Sequence, residues 1–456
     1  MSATISSTWE DRRQARNGKN DTYMAFGEFK GEATPPAGRM HVSRAGGPLG
    51  REVEGALVTP ALDQATDMLG VGESGASRLH AELPTGELTL TVQDGPPVAD
   101  LCDVAARANP KRGFLIVSKV LGRHLPARPS DMRAVMAALA RKIPADAAEP
   151  MVFLGMAETA TALGQGVFEE HRRLHPLSRT IYLQSSRQRV RDAVVFASFE
   201  EGHSHATTHL VQIRDGKLAQ KVSKARTLVL VDDECSTGRT FVAAAEALAS
   251  RMPELAGIHT CCITDWTGDE GAPSMPVAAS DHSVLRGRLE WRSTGGSKAP
   301  EMAASSNHSG FAPDLGMSSR AGIRHPERAS RRVPASVAGE RVLVLGDGEH
   351  SYEALLVAEE LEAAGCIAAV QCITRSPALV GHAMRTASRF DDAYGSGAPC
   401  FLYNILAHRP DRILVVAEVD GPQVADAAAA LAHLGAVVPV HMVHCTYPVA
   451  DRDHAA

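Results

Sequence analysis

Short apolar runs alternate with helix-like segments through two parts of the chain. Residues 129–143, PSDMRAVMAALARKI, carry apolar side chains three and four positions apart, which predicts a helix with Ser130 as its N-cap. Residues 152–168, VFLGMAETATALGQGVF, predict a buried strand, a turn and a second helix, and residues 256–266 form a continuous apolar strand. Strands that are apolar on both faces and alternate with helices indicate an α/β fold, a parallel sheet covered by helices on both sides.

The local composition divides the chain into four segments. Residues 1–75 mix Gly, Pro, Thr and charge without sustained periodicity, so we expect a flexible N-terminal segment. Residues 76–295 carry the first alternating unit, and residues 296–338, rich in Ser, Ala, Gly, Pro and Arg, are predicted to be a linker. The alternation resumes with ERVLVLGDGEHSYEALL, which predicts a second, smaller α/β domain over residues 339–456.

The overall composition narrows the class of protein. The 456 residues are 44% hydrophobic and 22% charged, as in soluble globular proteins of two or three domains. The net charge is −6, so the protein lacks the excess of Lys and Arg that would attract the phosphate backbone of a nucleic acid. We therefore expect no nucleic-acid partner. No window approaches the roughly 18 to 20 apolar residues of a membrane span, and the first residues lack the apolar region of a secretory signal. Eight cysteines without a CxxC pair fit reduced thiols, and we expect a cytoplasmic protein.

Residues 228–240, LVLVDDECSTGRT, place two aspartates between an apolar strand and a polar turn that opens a helix. A helix start of this kind leaves several backbone N–H groups unpaired and pointing one way, which suits a phosphate group. Asp232 and Asp233 have the wrong charge for the phosphate, but their carboxylates can accept hydrogen bonds from the hydroxyls of a ribose. The alternative is that the two aspartates only cap the helix. The turn supplies further hydroxyl donors and one glycine that permits a tight bend: Ser236, Thr237, Gly238 and Thr240.

This segment resembles the phosphoribosyl pyrophosphate signature of the type I phosphoribosyltransferases, in which a hydrophobic strand precedes two acidic residues and a threonine-glycine loop. The resemblance implies a Rossmann-like, parallel-sheet phosphoribosyltransferase domain over residues 76–295. It also implies that Asp232 and Asp233 are catalytic residues that hold the ribose hydroxyls. The residues implied to bind the 5′-phosphate are Ser236, Thr237, Gly238, Arg239 and Thr240. A Walker loop is a different phosphate site, and its GxxxxGK[ST] string does not occur in the chain.

The strand, turn and helix of residues 152–168 are similar to the segment that binds pyrophosphate in the same superfamily. The resemblance implies a pyrophosphate site that is made by Ala157, Glu158, Thr159 and Arg187. Glu158 is an acidic residue in a site for an anion, so two interpretations of it remain. It could orient a water molecule bound to magnesium, or it could simply favour the positive end of the dipole at an ordinary helix start.

Residues 201–205, EGHSH, fall where this family commonly has a mobile loop that closes over the site. We therefore expect Glu201, His203 and His205 to belong to such a loop. The HxH spacing also permits a metal site on a strand, and a plain solvated loop is the third alternative. Mg²⁺ is the cofactor that the resemblance implies, and no side chain is assigned as a direct metal ligand.

Three stretches, NPKRGFLIVSKVLGRHLP, GMAETATALG and FEEGHSHA, resemble a branch of the superfamily that is found with tellurite-resistance and stress-response genes. In the second domain, ITRSP and FDDAYGSGAPCFLYN resemble the TRSP domain that follows this branch of transferase in the same polypeptide. Thr374, Arg375 and Ser376 stand at the end of a predicted strand. They either bind a phosphorylated product or form a structural turn.

The function that these resemblances imply is a magnesium-dependent transfer of ribose 5-phosphate from phosphoribosyl pyrophosphate to an unidentified base. We expect it to serve the synthesis of a nucleoside or nucleotide metabolite linked to stress or tellurite resistance, and we expect a homodimer. The main alternative is a regulatory protein that senses phosphoribosyl pyrophosphate without catalysis, although no helix-turn-helix pattern is visible. A related cleavage reaction, with the second domain processing its product, is a further alternative.

Overall fold

The computed structural model describes residues 78–107, 109, 112–200, 208–269, 271, 273–294, 311–312, 318–323, 330–394, 398–418 and 421–446. All of them belong to one compact unit of the chain, Thr59–Ala456. The predictions for the N-terminal segment, residues 1–75, and for Glu201, His203 and His205 lie outside the described residues. The described part of the chain is a mixed α/β structure, so the predicted fold class is confirmed.

Strands and helices alternate along the described residues. The first strands are β1 (Arg78–Leu83), β2 (Gly86–Asp94), β3 (Cys102–Ala106), β4 (Phe114–Ser118), β5 (Met151–Gly155), β6 (Thr180–Gln184), β7 (Arg189–Val190), β8 (Val194–Glu200), β9 (Thr208–Ile213), β10 (Thr227–Cys235), β11 (Gly257–Asp265) and β12 (Ala278–Ser293). The later strands are β13 (Phe311–Ala312), β14 (Ser330–Arg331), β15 (Arg341–Asp347), β16 (Ile367–Ile373), β17 (Ala387–Asp391), β18 (Pro399–Tyr403), β19 (Arg412–Ala417) and β20 (Val440–Thr446). The helices are α1 (Val98–Leu101), α2 (Pro129–Lys142), α3 (Thr161–Leu174), α4 (Gly216–Val222), α5 (Arg239–Ala249), α6 (Tyr352–Ala363) and α7 (Gln423–His433), with a 3₁₀ turn at Ser318–Ala321.

The first sheet has the strand order β1-β2-β12-β11-β10-β5-β6. Strands β12, β11, β10, β5 and β6 run parallel, and β2 and β1 extend the sheet as an antiparallel edge. Because β5 and β10 are direct neighbours and run parallel, the loops that follow them lie side by side at one edge of the sheet. Those two loops and the helix starts beside them carry the predicted phosphate and pyrophosphate residues except Arg187, which follows β6.

Alternate residues of β10 face opposite sides of the first sheet, as the period of a strand requires. Val229 and Val231 pack into the core cluster that includes α2 and α3, while Leu228 and Leu230 pack into the cluster that includes α4 and α5. Both faces are therefore covered, which explains why this strand is apolar at every position from Leu228 to Val231.

The start of α2 differs from its prediction. The helix begins at Pro129, and Arg128 rather than Ser130 occupies the N-cap position. Proline is favoured at the first helical position because its missing N–H would have no partner there. Ser130 instead donates from both its N–H and its hydroxyl to the carboxylate of Glu362, each at 3.1 Å, and so joins α2 to the last turn of α6.

The second sheet has the strand order β14-β20-β19-β15-β16. The chain passes from β15 to β16 on one side and returns to β19 on the other, so the ends of β15 and β19 form a topological switch point. The second sheet joins the first part of the chain directly, because Ala127 and Val370 exchange backbone hydrogen bonds of 2.9 and 2.8 Å. One apolar cluster runs through α2, α3, α6 and β15, so the two sheets share a core.

All eight cysteines are free thiols, and Cys445 is the least buried of them. The other seven are buried: Cys102, Cys235, Cys261, Cys262, Cys366, Cys372 and Cys400. Burial raises the pKa of the Cys261 and Cys400 thiols to about 12 in each case. Within the described ranges, no helix has both the length and the apolarity that a membrane crossing requires.

Candidate active site

The loop between β10 and α5 carries the acidic pair and the hydroxyl-rich turn. Strand β10 continues through both aspartates to Cys235, and α5 begins at Arg239. Gly238 occupies the N-cap position with a φ of 71°. Glycine adopts this left-handed conformation readily, whereas a residue with a side chain would be strained in it. Because Gly238 has no side chain, the N-cap residue itself does not cap this helix end. The first N–H groups of α5 are left to point toward the space beside the loop.

Asp232 and Asp233 are half-buried at the carboxyl edge of the first sheet. The N–H of Asp233 donates to Oδ1 of Asp232 at 3.0 Å, which fixes the first carboxylate against the backbone. The next residue, Glu234, lies 2.5 Å from Nη2 of Arg112, which comes from the segment between β3 and β4. Burial raises the pKa of the Glu234 carboxyl, and the Arg112 guanidinium opposes that shift by stabilising the charged form. The sequence analysis missed this pair because its members lie 122 residues apart.

One cleft collects most of the predicted site residues. Its empty volume is about 1220 Å³, including space open to solvent. Arg239 is exposed and is not among the lining residues. The predicted residues that line the cleft are Ala157, Glu158, Thr159, Arg187, Asp232, Asp233, Ser236, Thr237, Gly238 and Thr240.

The loop between β5 and α3 is held close to the sheet. A Cβ atom added to Gly164 would lie only 2.4 Å from Cα of Gly155, so this approach of helix to strand requires glycine. The N–H of Ala157 donates to Oγ of Ser185 at 2.8 Å, and the same hydroxyl bonds to Nδ1 of His209 at 2.9 Å. These contacts fix the predicted pyrophosphate loop through side chains that the sequence analysis did not identify.

The carboxylate of Glu158 is surrounded by cationic and hydroxyl groups. It forms an ion pair with Arg123, which is 2% exposed, and it accepts from Oγ1 of Thr374 at 3.3 Å. It also accepts from the N–H of Arg375 at 3.2 Å, with Nε of that residue 3.9 Å from its second oxygen. The peptide bond between Ala157 and Glu158 is cis. These partners compensate the negative charge beside a predicted anion site, and neither sequence-based interpretation of Glu158 included them.

The main chain at Arg187 is anchored by Glu349. Oε1 of Glu349 accepts from the N–H of Arg187 at 2.7 Å, and Oε2 accepts from the hydroxyl of Ser186 at 2.7 Å. The Arg187 side chain donates from Nη2 to the carbonyl of Ala157 at 3.3 Å. The guanidinium therefore contacts the predicted pyrophosphate loop. The sequence could not reveal this contact, because the two residues lie 30 positions apart.

Glu349 is in turn bound by Arg320, a residue of the predicted linker. Nε of Arg320 lies 2.7 Å from Oε2 of Glu349, and its Nη1 forms an ion pair with Glu418. Arg320 is 1% exposed. Burial alone would raise the pKa of Glu349, but the Arg320 charge and the hydrogen bonds from Arg187 and Ser186 outweigh it and hold the pKa below its ordinary value.

Family models match two stretches of the chain. Residues 101–285 match a model described as phosphoribosyl transferase, and residues 317–434 match the TRSP domain that lies C-terminal to that transferase domain. The chain therefore carries a phosphoribosyltransferase domain followed by a TRSP domain. The prediction made from the acidic pair and from the TRSP tetrapeptide is confirmed.

Several solved structures are similar to the phosphoribosyltransferase part. The adenine phosphoribosyl transferase of Trypanosoma brucei matches over 43% of this chain and 82% of its own, with 13% identity and a TM-score of 0.30. The adenine phosphoribosyltransferase of Giardia lamblia matches over 41% of this chain and 97% of its own, with 17% identity and a TM-score of 0.29. The hypoxanthine phosphoribosyltransferase of Trypanosoma cruzi matches over 37% of this chain and 81% of its own, with 15% identity and a TM-score of 0.24. Likenesses this distant carry no argument about the acceptor. In the comparison with curated proteins, no match was found.

The TRSP domain reaches into the cleft of the phosphoribosyltransferase domain. Its tetrapeptide follows β16, and all four of its residues are among those that line the cleft. The tetrapeptide therefore lies at the same cleft as Asp232 and Asp233, a proximity that the sequence could not show for positions more than 140 residues apart. These four residues are Thr374, Arg375, Ser376 and Pro377.

Proposed function

We propose that the protein is a magnesium-dependent phosphoribosyltransferase that moves ribose 5-phosphate from phosphoribosyl pyrophosphate to a nitrogen base. The observation that carries the proposal is the single cleft lined by the acidic pair, the hydroxyl-rich turn and the β5–α3 loop. The family-model match supports the transfer reaction itself. The identity of the sugar donor rests on the chemistry of the lining groups.

Each part of the cleft suits one part of that donor. The helix start at α5 and the hydroxyls of Ser236, Thr237 and Thr240 offer donors for the 5′-phosphate. The carboxylates of Asp232 and Asp233 accept hydrogen bonds from the ribose hydroxyls. The β5–α3 loop, with the Arg187 guanidinium bonded to it, binds the pyrophosphate.

In the proposed reaction, a nitrogen lone pair of the base forms a bond to C1 of the ribose. The bond from C1 to the pyrophosphate oxygen breaks, and pyrophosphate leaves with the bonding electrons. The proton on the attacking nitrogen passes to solvent. Positive charge develops on the sugar ring in such transfers, and the carboxylates of Asp232 and Asp233 are placed to offset it.

The donor groups of the cleft fit Mg²⁺. Magnesium prefers oxygen ligands and is usually held by one or two carboxylates, water and the phosphates of the substrate, rather than by a complete protein cage. Asp232 and Asp233 supply such carboxylates, and the described residues contain no group of three side chains suited to hold a metal alone. When bound, the ion would neutralise charge on the departing pyrophosphate.

We further propose that the enzyme acts in the cytoplasm as a homodimer, in the synthesis of a nucleoside or nucleotide metabolite linked to stress or tellurite resistance. The likeness of GMAETATALG and FEEGHSHA to that branch of the superfamily supports this setting. The net charge of −6 supports small-molecule partners rather than nucleic acid or a membrane surface. Light scattering on the purified protein tests the dimer.

The central test combines the protein with Mg²⁺, phosphoribosyl pyrophosphate and a panel of bases, with released pyrophosphate as the readout. We expect release that depends on one class of base. Calorimetry with phosphoribosyl pyrophosphate and Mg²⁺ runs beside it. Absence of any heat of binding would contradict the proposal, and binding without turnover on any base would favour the alternative of a sensor.

A further inference from the structure

Part of the cleft is left over once the sugar, its 5′-phosphate and the pyrophosphate have been assigned to their loops. Much of this remaining lining comes from two places. Arg112, Leu115, Ile116 and His124 belong to the β3–β4 hairpin and the segment after it. The rest is the TRSP tetrapeptide, whose Arg375 and Pro377 enter the cleft from the second domain.

Three polar atoms in this lining are buried without a hydrogen-bond partner among the described residues. They are Nε of Arg112, Nε2 of His124 and Nη1 of Arg375. The remaining nitrogens of Arg375 are only loosely paired, since Nη2 lies 3.6 Å from Asp392 and Nε lies 3.9 Å from Glu158. Buried polar groups in folded proteins are nearly always paired. The described residues contain other buried side-chain atoms of this kind, but these three belong to residues that line one cleft, and we take them as groups that a ligand in the cleft could complete.

The chemistry of these atoms restricts that ligand. A guanidinium group can only donate hydrogen bonds, so Arg112 and Arg375 require acceptor atoms on the ligand. Burial and the charges of Arg123 and Arg107 lower the pKa of His124 to about 3, so its imidazole is neutral and can either donate or accept. Charged donors of this kind favour carbonyl and carboxylate oxygens.

The shape and rigidity of the lining suit a flat molecule. Leu115, Ile116 and Pro377 supply apolar surface, which is how sites for planar rings are commonly lined. The tetrapeptide is fixed in place, because Thr374 and Phe401 exchange backbone hydrogen bonds of 2.9 and 2.7 Å. The carbonyl of Ser376 also accepts from the hydroxyl of Tyr403 at 2.9 Å.

We propose that the β3–β4 hairpin, His124 and the TRSP tetrapeptide form the acceptor compartment of the transferase, and that the acceptor is a planar nitrogen heterocycle whose carbonyl or carboxylate oxygen is bound by Arg375. The proposal rests on the proposed function, because the acceptor is the second substrate of that reaction. The TRSP domain is then part of the active site and sets the choice of acceptor.

The test uses the full chain with Mg²⁺ and phosphoribosyl pyrophosphate. Hypoxanthine, guanine, uracil, orotate and nicotinate carry oxygen acceptors, whereas adenine carries none, and we expect pyrophosphate release with a member of the first group and not with adenine. Arg375→Gln should raise the KM for that base by on the order of tenfold or more, as expected for loss of a hydrogen bond to a charged group, and should leave the KM for phosphoribosyl pyrophosphate unchanged. Arg375→Lys, which keeps the charge, should recover part of the loss. Arg389→Gln, an exposed arginine on β17 of the same domain, is the matched control and should behave as the wild type.

Two results would overturn the acceptor compartment while leaving the proposed function intact. One is a rise in the KM for phosphoribosyl pyrophosphate alone in Arg375→Gln, which would place Arg375 at the pyrophosphate. The other is turnover with adenine but with none of the oxygen-bearing bases. If calorimetry shows no binding of phosphoribosyl pyrophosphate by the wild type, the proposed function and the acceptor compartment both fail. Should Arg375→Gln not fold, as judged by its thermal midpoint, the same two KM values measured for Arg375→Lys decide the question.

Discussion

Two strand-loop-helix units, one at the carboxyl edge of each sheet, use their acidic residues in opposite ways. In the first unit, between β10 and α5, Asp232 and Asp233 are half-buried and line the cleft. In the second unit, between β15 and α6, Asp347 and Glu349 are 4% and 5% exposed. Glu349 is bound by Arg320, and Asp347 accepts from the side-chain amide of Gln423 at 2.9 Å. A strand end that precedes a helix is a proposed ligand site in one domain and an internal ion-pair network in the other.

The difference shows that the topology determines where a binding site can form. The partners of the acidic side chains then determine whether those side chains remain available to a ligand. The carboxyl ends of parallel strands and the helix starts beside them favour binding sites in both sheets. In the second unit, buried cationic and amide groups already satisfy the acids. Glu349 then holds the backbone of Arg187 and the hydroxyl of Ser186, so the second unit supports a residue of the proposed site.

The largest effect is expected from removing the cation of the second unit. Arg320→Met leaves Glu349 and Glu418 buried without their shared partner, which should lower the free energy of unfolding by about 3–5 kcal/mol. Urea denaturation measures the loss. Arg389→Met removes an exposed arginine of the same domain and should leave the stability unchanged. Equal stability of Arg320→Met and the wild type would show that the network does not hold the second unit together.

The next effect is catalytic and belongs to the first unit. Asp233→Asn removes a carboxylate that offsets charge on the sugar, which should lower the rate on the order of 100-fold without a change in the thermal midpoint. Pyrophosphate release and a thermal melt provide the two measurements. Asp347→Asn makes the same change in the second unit and should leave the rate unchanged. Full activity of Asp233→Asn would disprove the assignment of the ribose hydroxyls.

A pH effect on stability should come from the buried histidine of the second unit. Burial and the Arg320 charge lower the pKa of His350 to about 3 in the folded protein. The unfolded chain, with a histidine pKa of about 6.5, therefore binds more protons between the two values, so stability falls as the pH drops through this window. The slope from one such group reaches about 1.4 kcal/mol per pH unit.

His350→Gln should remove this contribution and flatten the dependence of the unfolding free energy on pH. Denaturant titrations at a series of pH values give the slope for the variant and the wild type. Other buried histidines contribute their own slopes in both proteins and cancel in the comparison. Identical slopes would mean that the fold does not lower the pKa of His350 below its value in the unfolded chain.

The smallest expected effect concerns the link between the two helix starts. The hydroxyls of Thr161, the first residue of α3, and Ser351, at the N-cap of α6, lie 2.8 Å apart and are buried. A double-mutant cycle with Thr161→Val and Ser351→Ala should give a coupling energy of about 0.5–1.5 kcal/mol. A coupling energy of zero would show that the two hydroxyls do not act as a pair.

Those features of the fold and of the proposed site that depend on neighbouring residues could be predicted from the sequence. The apolar run of β10, the acids that end it and the glycine that opens α5 all lie within a few positions of one another. The contacts of Glu158 were not predictable, because Arg123 and Thr374 reach it from 35 and 216 residues away. Arg320 was equally hidden, since a buried cation in a Ser- and Ala-rich stretch has no local signature. Ser130 failed as a cap because Pro129, with its fixed φ, was the better first residue of α2.

The buried thiols allow the frequency of transient opening of the fold to be measured. A thiol reagent attacks the thiolate, and the raised pKa values of Cys261, Cys372 and Cys400 keep these side chains protonated and out of reach while the chain is folded. Their labelling rate then reports transient exposure of the interior rather than surface chemistry. A compound that binds the folded form slows that exposure in proportion to its affinity, so unknown acceptors can be ranked by the protection they confer, with no turnover required.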